Sequence, residues 1–126
     1  MIREIEEQPE ALERTLRQEL PRVRKFRRRL GRRTPPVIVL VARGTSDNAA
    51  LFGRYLLEIT TGSLVSLAAP SVLTLYKTST RWRDALVIGV SQSGESTDTN
   101  LVLEAARAGG ALTVGITNEP ASSITR

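Results

Sequence analysis

An apolar run that ends in a turn rich in serine and glycine restricts this chain to few folds. Residues 85–90 read Ala-Leu-Val-Ile-Gly-Val, and residues 91–96, Ser-Gln-Ser-Gly-Glu-Ser, follow without a spacer. After the turn, apolar residues recur at helical spacing: Leu101, Val102, Ala105 and Ala106. The pattern therefore predicts a buried strand, a tight turn and a helix over residues 97–108 that is closed by Gly109 and Gly110.

A turn of this composition favours the binding of an anion. The first amides of a helix lack partners inside the helix and carry partial positive charge. Neighbouring hydroxyls add donors, and Gly94 allows the backbone to approach a ligand closely. The alternative is that Ser96 only caps the helix, with Asp98 favoured in the first turn. The number of hydroxyl residues favours phosphate over simple capping: Ser91, Ser93, Ser96 and Thr97.

A second run of the same kind lies earlier in the chain. Residues 37–42 are continuously apolar and largely β-branched, which fits a strand covered on both faces of a parallel sheet. A polar turn at 43–48 follows, with Ser46 or Asp47 as the expected helix cap and Gly62 near the expected helix end. Ligands of open parallel sheets bind beyond the carboxyl ends of the strands. Both turns are therefore expected at the same end of the sheet.

Further apolar runs complete an α/β pattern. Residues 64–67 and 111–116 are expected strands, and residues 70–76 are expected to form a helical turn. Repeated strand–turn–helix units predict an α/β three-layer sandwich, in which a mostly parallel sheet of about four strands is flanked by helices. Residues 111–116 would then form an unpaired edge strand, which invites the association of two copies or aggregation.

The residue types that are absent limit the chemistry. The 126 residues include no cysteine and no histidine, which excludes disulfides, thiolate nucleophiles and imidazole ligands. We therefore expect neither a metal nor another cofactor. No apolar run approaches the length of a membrane span, and the N-terminus is charged. The expected location is cytoplasmic, with no membrane partner.

The positive charge lies in the first 33 residues. Residues 1–33 carry 11 Lys/Arg and six Glu, whereas residues 34–126 carry seven basic and seven acidic residues. We expect a charged helical leader over 1–33, with a kink or break near Leu20 because Pro21 interrupts the pattern. Its thin apolar stripe consists of Leu12, Leu16, Leu20, Val23 and Leu30. No recognisable DNA-binding module accompanies the basic run at 22–33, so nucleic acid is not an expected partner.

Both turns resemble those of the sugar isomerase (SIS) domain family. The family hallmark, Ser-x-Ser-Gly-x-Ser/Thr after a strand, stands here at 91–96. Gly-Thr/Ser-Ser, the companion turn of its aminosugar-phosphate branch, stands at 44–46. That branch contains glutamine–fructose-6-phosphate aminotransferase and type II glucosamine-6-phosphate deaminases. Other similar segments are residues 5–12, 55–58, 68–71 and 116–118.

The resemblance implies a bound hexose phosphate, fructose 6-phosphate or glucosamine 6-phosphate. The implied contacts to phosphate or sugar come from seven residues: Thr45, Ser46, Ser91, Gln92, Ser93, Gly94 and Ser96. It also implies a homodimer formed through the SIS domain. The family's glutamate base, ring-opening histidine and imine-forming lysine belong to a second SIS half that this chain lacks. Residues 34–126 are therefore expected to be an incomplete SIS domain of an N-terminal fragment, without catalytic residues and without turnover on its own. A non-catalytic sugar-phosphate sensor remains the alternative.

Three other residues near the turns have two interpretations each. Glu95 is expected to shape the turn and Asp98 to favour the helix start, rather than to act as acid and base. Arg43 either pairs with phosphate or forms a structural salt bridge. Trp82 is expected to be a packing anchor.

Overall fold

The chain divides into two units, Met1–Thr34 and Pro35–Arg126. The computed structural model describes residues 2–31 and 34–125, except for the side chain of Glu4. Arg32 and Arg33 of the basic run therefore lie outside the described residues.

The first unit consists of two helices, α1 (Ile2–Glu6) and α2 (Gln8–Leu30). Of the kink or break expected near Leu20, the break is wrong, because α2 continues through Pro21 as one helix. Proline removes one amide donor, so the carbonyl four residues earlier loses its helical partner, but on an exposed helix water can replace that bond. None of the described side chains of α2 is buried. Ion pairs at helical spacing line the surface of this unit: Arg3–Glu7, Glu13–Arg17 and Glu19–Arg22.

The second unit alternates strands and helices as the sequence predicts. Its strands are β1 (Val37–Ala42), β2 (Leu64–Leu67), β3 (Ala85–Val90) and β4 (Leu112–Ile116). Its helices are α3 (Ser46–Thr61), α4 (Pro70–Thr74) and α5 (Thr97–Ala108), and a 3-10 turn follows at Ser123–Thr125. The four predicted strands are confirmed to within one residue, because each is a continuous apolar run bounded by turn residues.

All strand pairs in the sheet are parallel, and the strand order is β2-β1-β3-β4. The prediction of a parallel α/β fold is therefore confirmed. β1 lies between two neighbours, and five of its six residues are buried. Within the described residues, β2 and β4 form the two edges of the sheet, so the prediction that 111–116 is an edge strand is also confirmed.

Helices cover the sheet on both faces. On one face, Val41 and Val87 are fully buried and form a core cluster with Val102 and Ala106 of α5. The other face of β1 contacts α3, where a Cβ at Gly53 would lie 3.4 Å from Leu40 Cδ1. Alternate residues of β1 thus point to opposite helices, which gives the three-layer sandwich.

Trp82 anchors the loop that leads into β3. It is 9% exposed and belongs to the same core cluster as Val87 and Val102. A Cβ at Gly109 would lie 2.8 Å from Trp82 Cδ1, so the indole packs directly on the end of α5. The expected packing role of Trp82 is confirmed.

None of the helices described by the structure combines the length and the apolar character needed to cross a membrane.

Candidate functional site

The two hydroxyl-rich turns leave the sheet side by side. From β1 the chain passes to β2 on one side and then returns to β3 on the other side of β1. The parallel register pairs Ala42 with Val90, the last residues of the two strands. The β1–α3 turn (residues 43–45) and the β3–α5 turn (residues 91–96) therefore emerge at a topological switch point, where open α/β sheets bind ligands. The predicted shared end is confirmed, and the turns are direct neighbours.

An ion pair bridges these turns. Arg43 Nε lies 3.2 Å from Asp98 Oδ2, and the two side chains are 59% and 35% exposed. Of the two interpretations of Arg43, phosphate contact or structural salt bridge, the structure shows the salt bridge. A pair this exposed contributes less than about 1 kcal/mol to stability. It links the end of β1 to the start of α5.

Two serine hydroxyls stabilise the β3–α5 turn from inside. The buried Ser91 Oγ accepts a hydrogen bond from the Gly94 amide at 3.1 Å. The exposed Ser93 Oγ accepts one from the Glu95 amide at 3.3 Å. A hydroxyl that accepts in this way keeps its own proton for donation. The two side chains can therefore shape the turn and still donate to a bound oxyanion.

Ser96 occupies the cap position of α5 without acting as a side-chain cap. Its backbone is extended, with φ −64° and ψ 107°, and no side-chain hydrogen bond to the helix amides is formed. A capping serine would accept a hydrogen bond from one of those amides through its hydroxyl, which Ser96 does not do. Ser96 is half-buried, and the first-turn amides of α5 lack intrahelical partners.

The β1–α3 turn ends, and α3 begins, earlier than the sequence suggested. The expected cap at Ser46 or Asp47 is wrong, because Thr45 holds the cap position and α3 begins at Ser46. Gly44 adopts φ +64° and reverses the chain, and its carbonyl accepts from the Asp47 amide at 3.0 Å. Thr45 is exposed and Ser46 is half-buried, and the Thr45 side chain makes no capping hydrogen bond.

Gly94 is where the β3–α5 turn touches the C-terminal segment (residues 117–125). Its φ is +69°, and an added Cβ would lie 2.0 Å from Ser122 Oγ. The sequence interpretation assigned Gly94 to close contact with a ligand, whereas here the close contact is with buried Ser122. The Gly94 carbonyl also accepts from the Ile124 amide at 3.0 Å. Only glycine satisfies both the conformation and the space.

The C-terminal segment also holds the residues on either side of Gly94. The Glu95 carboxylate accepts from the Ser123 amide at 2.9 Å and from Ser123 Oγ at 2.6 Å. The Gln92 carbonyl accepts from the Asn118 amide and from Thr117 Oγ1, both at 3.1 Å. These contacts of Glu95 agree with the turn-shaping role expected from the sequence. The sequence analysis missed this segment, because contacts across some 25 to 30 residues leave no periodic signal.

A cavity of about 510 Å³ lies next to the turn, between α5, β4 and the 3-10 turn. Its lining contains none of the seven predicted site residues, although Asn100 borders it. Asn100 Nδ2 donates to the Gly94 carbonyl at 3.1 Å, and its buried Oδ1 has no partner within the part of the chain that is described. Three of the predicted residues, Thr45, Gln92 and Ser93, are instead exposed on the surface, whereas Ser91 and Gly94 are buried.

Comparison with known proteins places this geometry in a family. The model of the SIS domain matches residues 34–126. Glutamine–fructose-6-phosphate aminotransferase [isomerizing] 1 of Arabidopsis thaliana is 42% identical over 100% of this chain and 20% of its own length. The corresponding enzyme of Gloeobacter violaceus is 37% identical over 98% of this chain and 21% of its own length. The chain thus spans about a fifth of the length of these curated relatives.

Solved structures agree with the sequence relatives. A candidate phosphosugar isomerase from Silicibacter pomeroyi superposes with a TM-score of 0.85 at 38% identity, over 97% of this chain and 37% of that one. The C-terminal domain of glucosamine-fructose-6-phosphate aminotransferase from Francisella tularensis gives a TM-score of 0.63 at 29% identity, over 72% of this chain and 26% of that one. The sequence match and the fold therefore lead to one conclusion: this chain belongs to the SIS domain family.

Proposed function

We propose that residues 34–126 bind a hexose 6-phosphate, fructose 6-phosphate or glucosamine 6-phosphate, at the junction of the β1–α3 and β3–α5 turns. The observation that carries the proposal is the convergence of two hydroxyl-rich turns at the topological switch point of an SIS domain. In this proposal the chain supplies the phosphate site of an aminosugar-phosphate isomerase, aminotransferase or deaminase. The relatives named as aminotransferases support that assignment.

Two helix N-termini serve the proposed site. α3 begins at Ser46 and α5 at Thr97, each directly after one of the neighbouring turns. The partial positive charge of both helix ends favours a doubly negative phosphate ester there. Ser93 and Ser96 supply hydroxyl donors from one turn, and Thr45 supplies one from the other. Ser91 and Gly94 are buried, so we assign them to shaping the turn around the anion.

Residues 34–126 are proposed to contribute the ligand's phosphate site and none of the groups that convert the ligand. The chain spans about a fifth of the curated relatives, and the resemblance assigns the acid–base and imine-forming groups to another part of such enzymes. A cytoplasmic location and a homodimer belong to the same proposal. The sensor alternative has less support, since the two curated relatives described above are named as aminotransferases.

Thermal unfolding with ligands tests the proposal. A ligand at 10 mM with a Kd of about 1 mM stabilises the native state by about 1.4 kcal/mol. For a unit of this size that raises the midpoint by about 5 to 10 °C. We expect this shift with fructose 6-phosphate and glucosamine 6-phosphate, and no shift with unphosphorylated fructose.

Matched serine substitutions locate the site. Ser93→Ala and Ser96→Ala should each abolish most of the shift, because each removes a donor to the phosphate. Ser79→Ala is the control, since Ser79 is exposed in the loop before β3. A folded sample without any shift at 10 mM, or an equal shift with fructose, would contradict phosphate binding.

A further inference from the structure

The ion pair between Arg43 and Asp98 joins two turns that are far apart in the chain. The ion pairs described on α2 and α3 join residues three or four positions apart, whereas these two residues are 55 positions apart. Arg43 follows β1 directly, and Asp98 lies in the first turn of α5. Since Arg43 Nε is 3.2 Å from Asp98 Oδ2, the guanidinium lies beside the N-terminal turn of α5, at the proposed phosphate site.

Arg43 is the only basic residue in the sequence segments that surround the proposed site. These segments are 43–48, 91–98 and the C-terminal segment, and they hold one arginine and four carboxylates: Asp47, Glu95, Asp98 and Glu119. The other donors there are hydroxyls and helix amides, which are neutral, and a helix end supplies only a partial charge. A doubly negative ligand therefore meets one formal positive charge in these segments.

The ion pair leaves donors of the guanidinium for a second acceptor. Arginine presents five N–H donors in a planar fork, and the described contact with Asp98 uses Nε. The two terminal nitrogens carry the other four donors. The side chain is 59% exposed, so a ligand at the turns can reach it. One guanidinium can thus contact Asp98 and a phosphate oxygen together, and the ion pair is kept when a ligand binds.

Given the phosphate site proposed above, we infer that Arg43 selects ligands by charge, favouring a doubly negative phosphate ester over a singly negative ester of the same sugar. Serine and threonine hydroxyls donate to the oxygens of either ester. The attraction to Arg43 grows with the second charge: a pair of unit charges about 4 Å apart is worth a factor of about five in water, and more near a protein surface. The hydroxyls thus recognise the shape of the group, and Arg43 recognises its charge.

Binding of two esters to the full chain tests the inference. Glucosamine 6-phosphate and glucosamine 6-sulfate share the sugar and a tetrahedral group, which at pH 8 carries two negative charges in the first and one in the second. NMR titration should give a Kd about tenfold lower for the phosphate than for the sulfate. Arg43→Gln should reduce this ratio to below about threefold, whereas Arg43→Lys, which keeps the charge, should hold it above about fivefold.

Arg83→Gln is the matched control. It removes the same charge from an exposed arginine that precedes β3, at the opposite end of the strand from the turns, so its ratio should equal that of the wild type. Circular dichroism of all variants should match the wild type, because both arginines are exposed.

The outcomes separate this inference from the proposed function. Equal ratios for the wild type and Arg43→Gln would overturn the role of Arg43 and leave the phosphate site in place. A ratio that falls as far in Arg43→Lys or Arg83→Gln as in Arg43→Gln would overturn it too, because the position or the net charge would then be responsible. A wild-type chain that binds neither ester at about 10 mM would overturn the proposed function, and the inference with it.

Discussion

Gly94→Ala is the sharpest test of how the candidate site is built. The substitution adds one methyl group where the β3–α5 turn meets the C-terminal segment. That carbon would lie 2.0 Å from Ser122 Oγ, 2.5 Å from Ser122 Cβ and 2.9 Å from Ile124 Cγ2. The residue also has φ +69°, which is unfavourable for alanine.

Two costs therefore add at this position. The left-handed backbone costs alanine about 1 to 2 kcal/mol. Overpacking against Ser122 and Ile124 costs a further 1 to 3 kcal/mol or so, since Ser122 is only 2% exposed and cannot move outward freely. We expect Gly94→Ala to lower the free energy of unfolding by about 3 kcal/mol.

Gly62→Ala separates the two costs. Gly62 ends α3 with φ +70°, nearly the same conformation, but an added Cβ there would meet no atom within 4 Å. It should therefore lose only the backbone part, about 1 to 2 kcal/mol. Urea denaturation measures both variants, and the difference corresponds to a shift of about 1 M in midpoint. Equal losses for the two variants would show that the contact with Ser122 carries no energy and would refute this account of the turn.

Two further substitutions probe the turn and the core. Glu95→Ala removes the acceptor of the Ser123 amide and hydroxyl, so amide hydrogen exchange at Ser123 and Ile124 should accelerate by about tenfold while the core strands keep their protection. Unchanged exchange would show that Glu95 does not hold the C-terminal segment. Trp82→Ala empties a core position that is 9% exposed and should cost about 3 to 5 kcal/mol in urea denaturation. A loss under 1 kcal/mol would show that the indole is not the anchor of its loop.

The sequence predicted the elements of the fold better than their arrangement. β1 and β3 were identifiable because continuous apolar, β-branched runs mark strands that are covered on both faces. The order β2-β1-β3-β4 has no counterpart in periodicity, since local patterns do not specify which strands pair. The sequence also left a kink or a break open at Pro21; α2 is continuous there, because an exposed helix tolerates the lost amide bond better than a buried one.

For the candidate site too, part could be predicted from the sequence and part could not. The two turns and their common end could be predicted, because each follows a strand of a parallel sheet directly. The cap of α3 shifted to Thr45, since the positive φ of Gly44 reverses the chain before Ser46. The contact between Gly94 and Ser122 joins residues 28 positions apart and depends on the tertiary fold. No local pattern in the sequence encodes it.

The central position of β1 has a consequence for how the chain folds. Val37 pairs with Ala85, 48 positions further along, as well as with Leu64 on its other side. Loop closure over such separations precedes any gain from the pairing, which slows folding relative to helical bundles. Until both neighbours arrive, the most apolar strand stays accessible to other nascent chains. Yield of the intact protein should therefore depend on temperature and concentration during synthesis more strongly than its final stability would suggest.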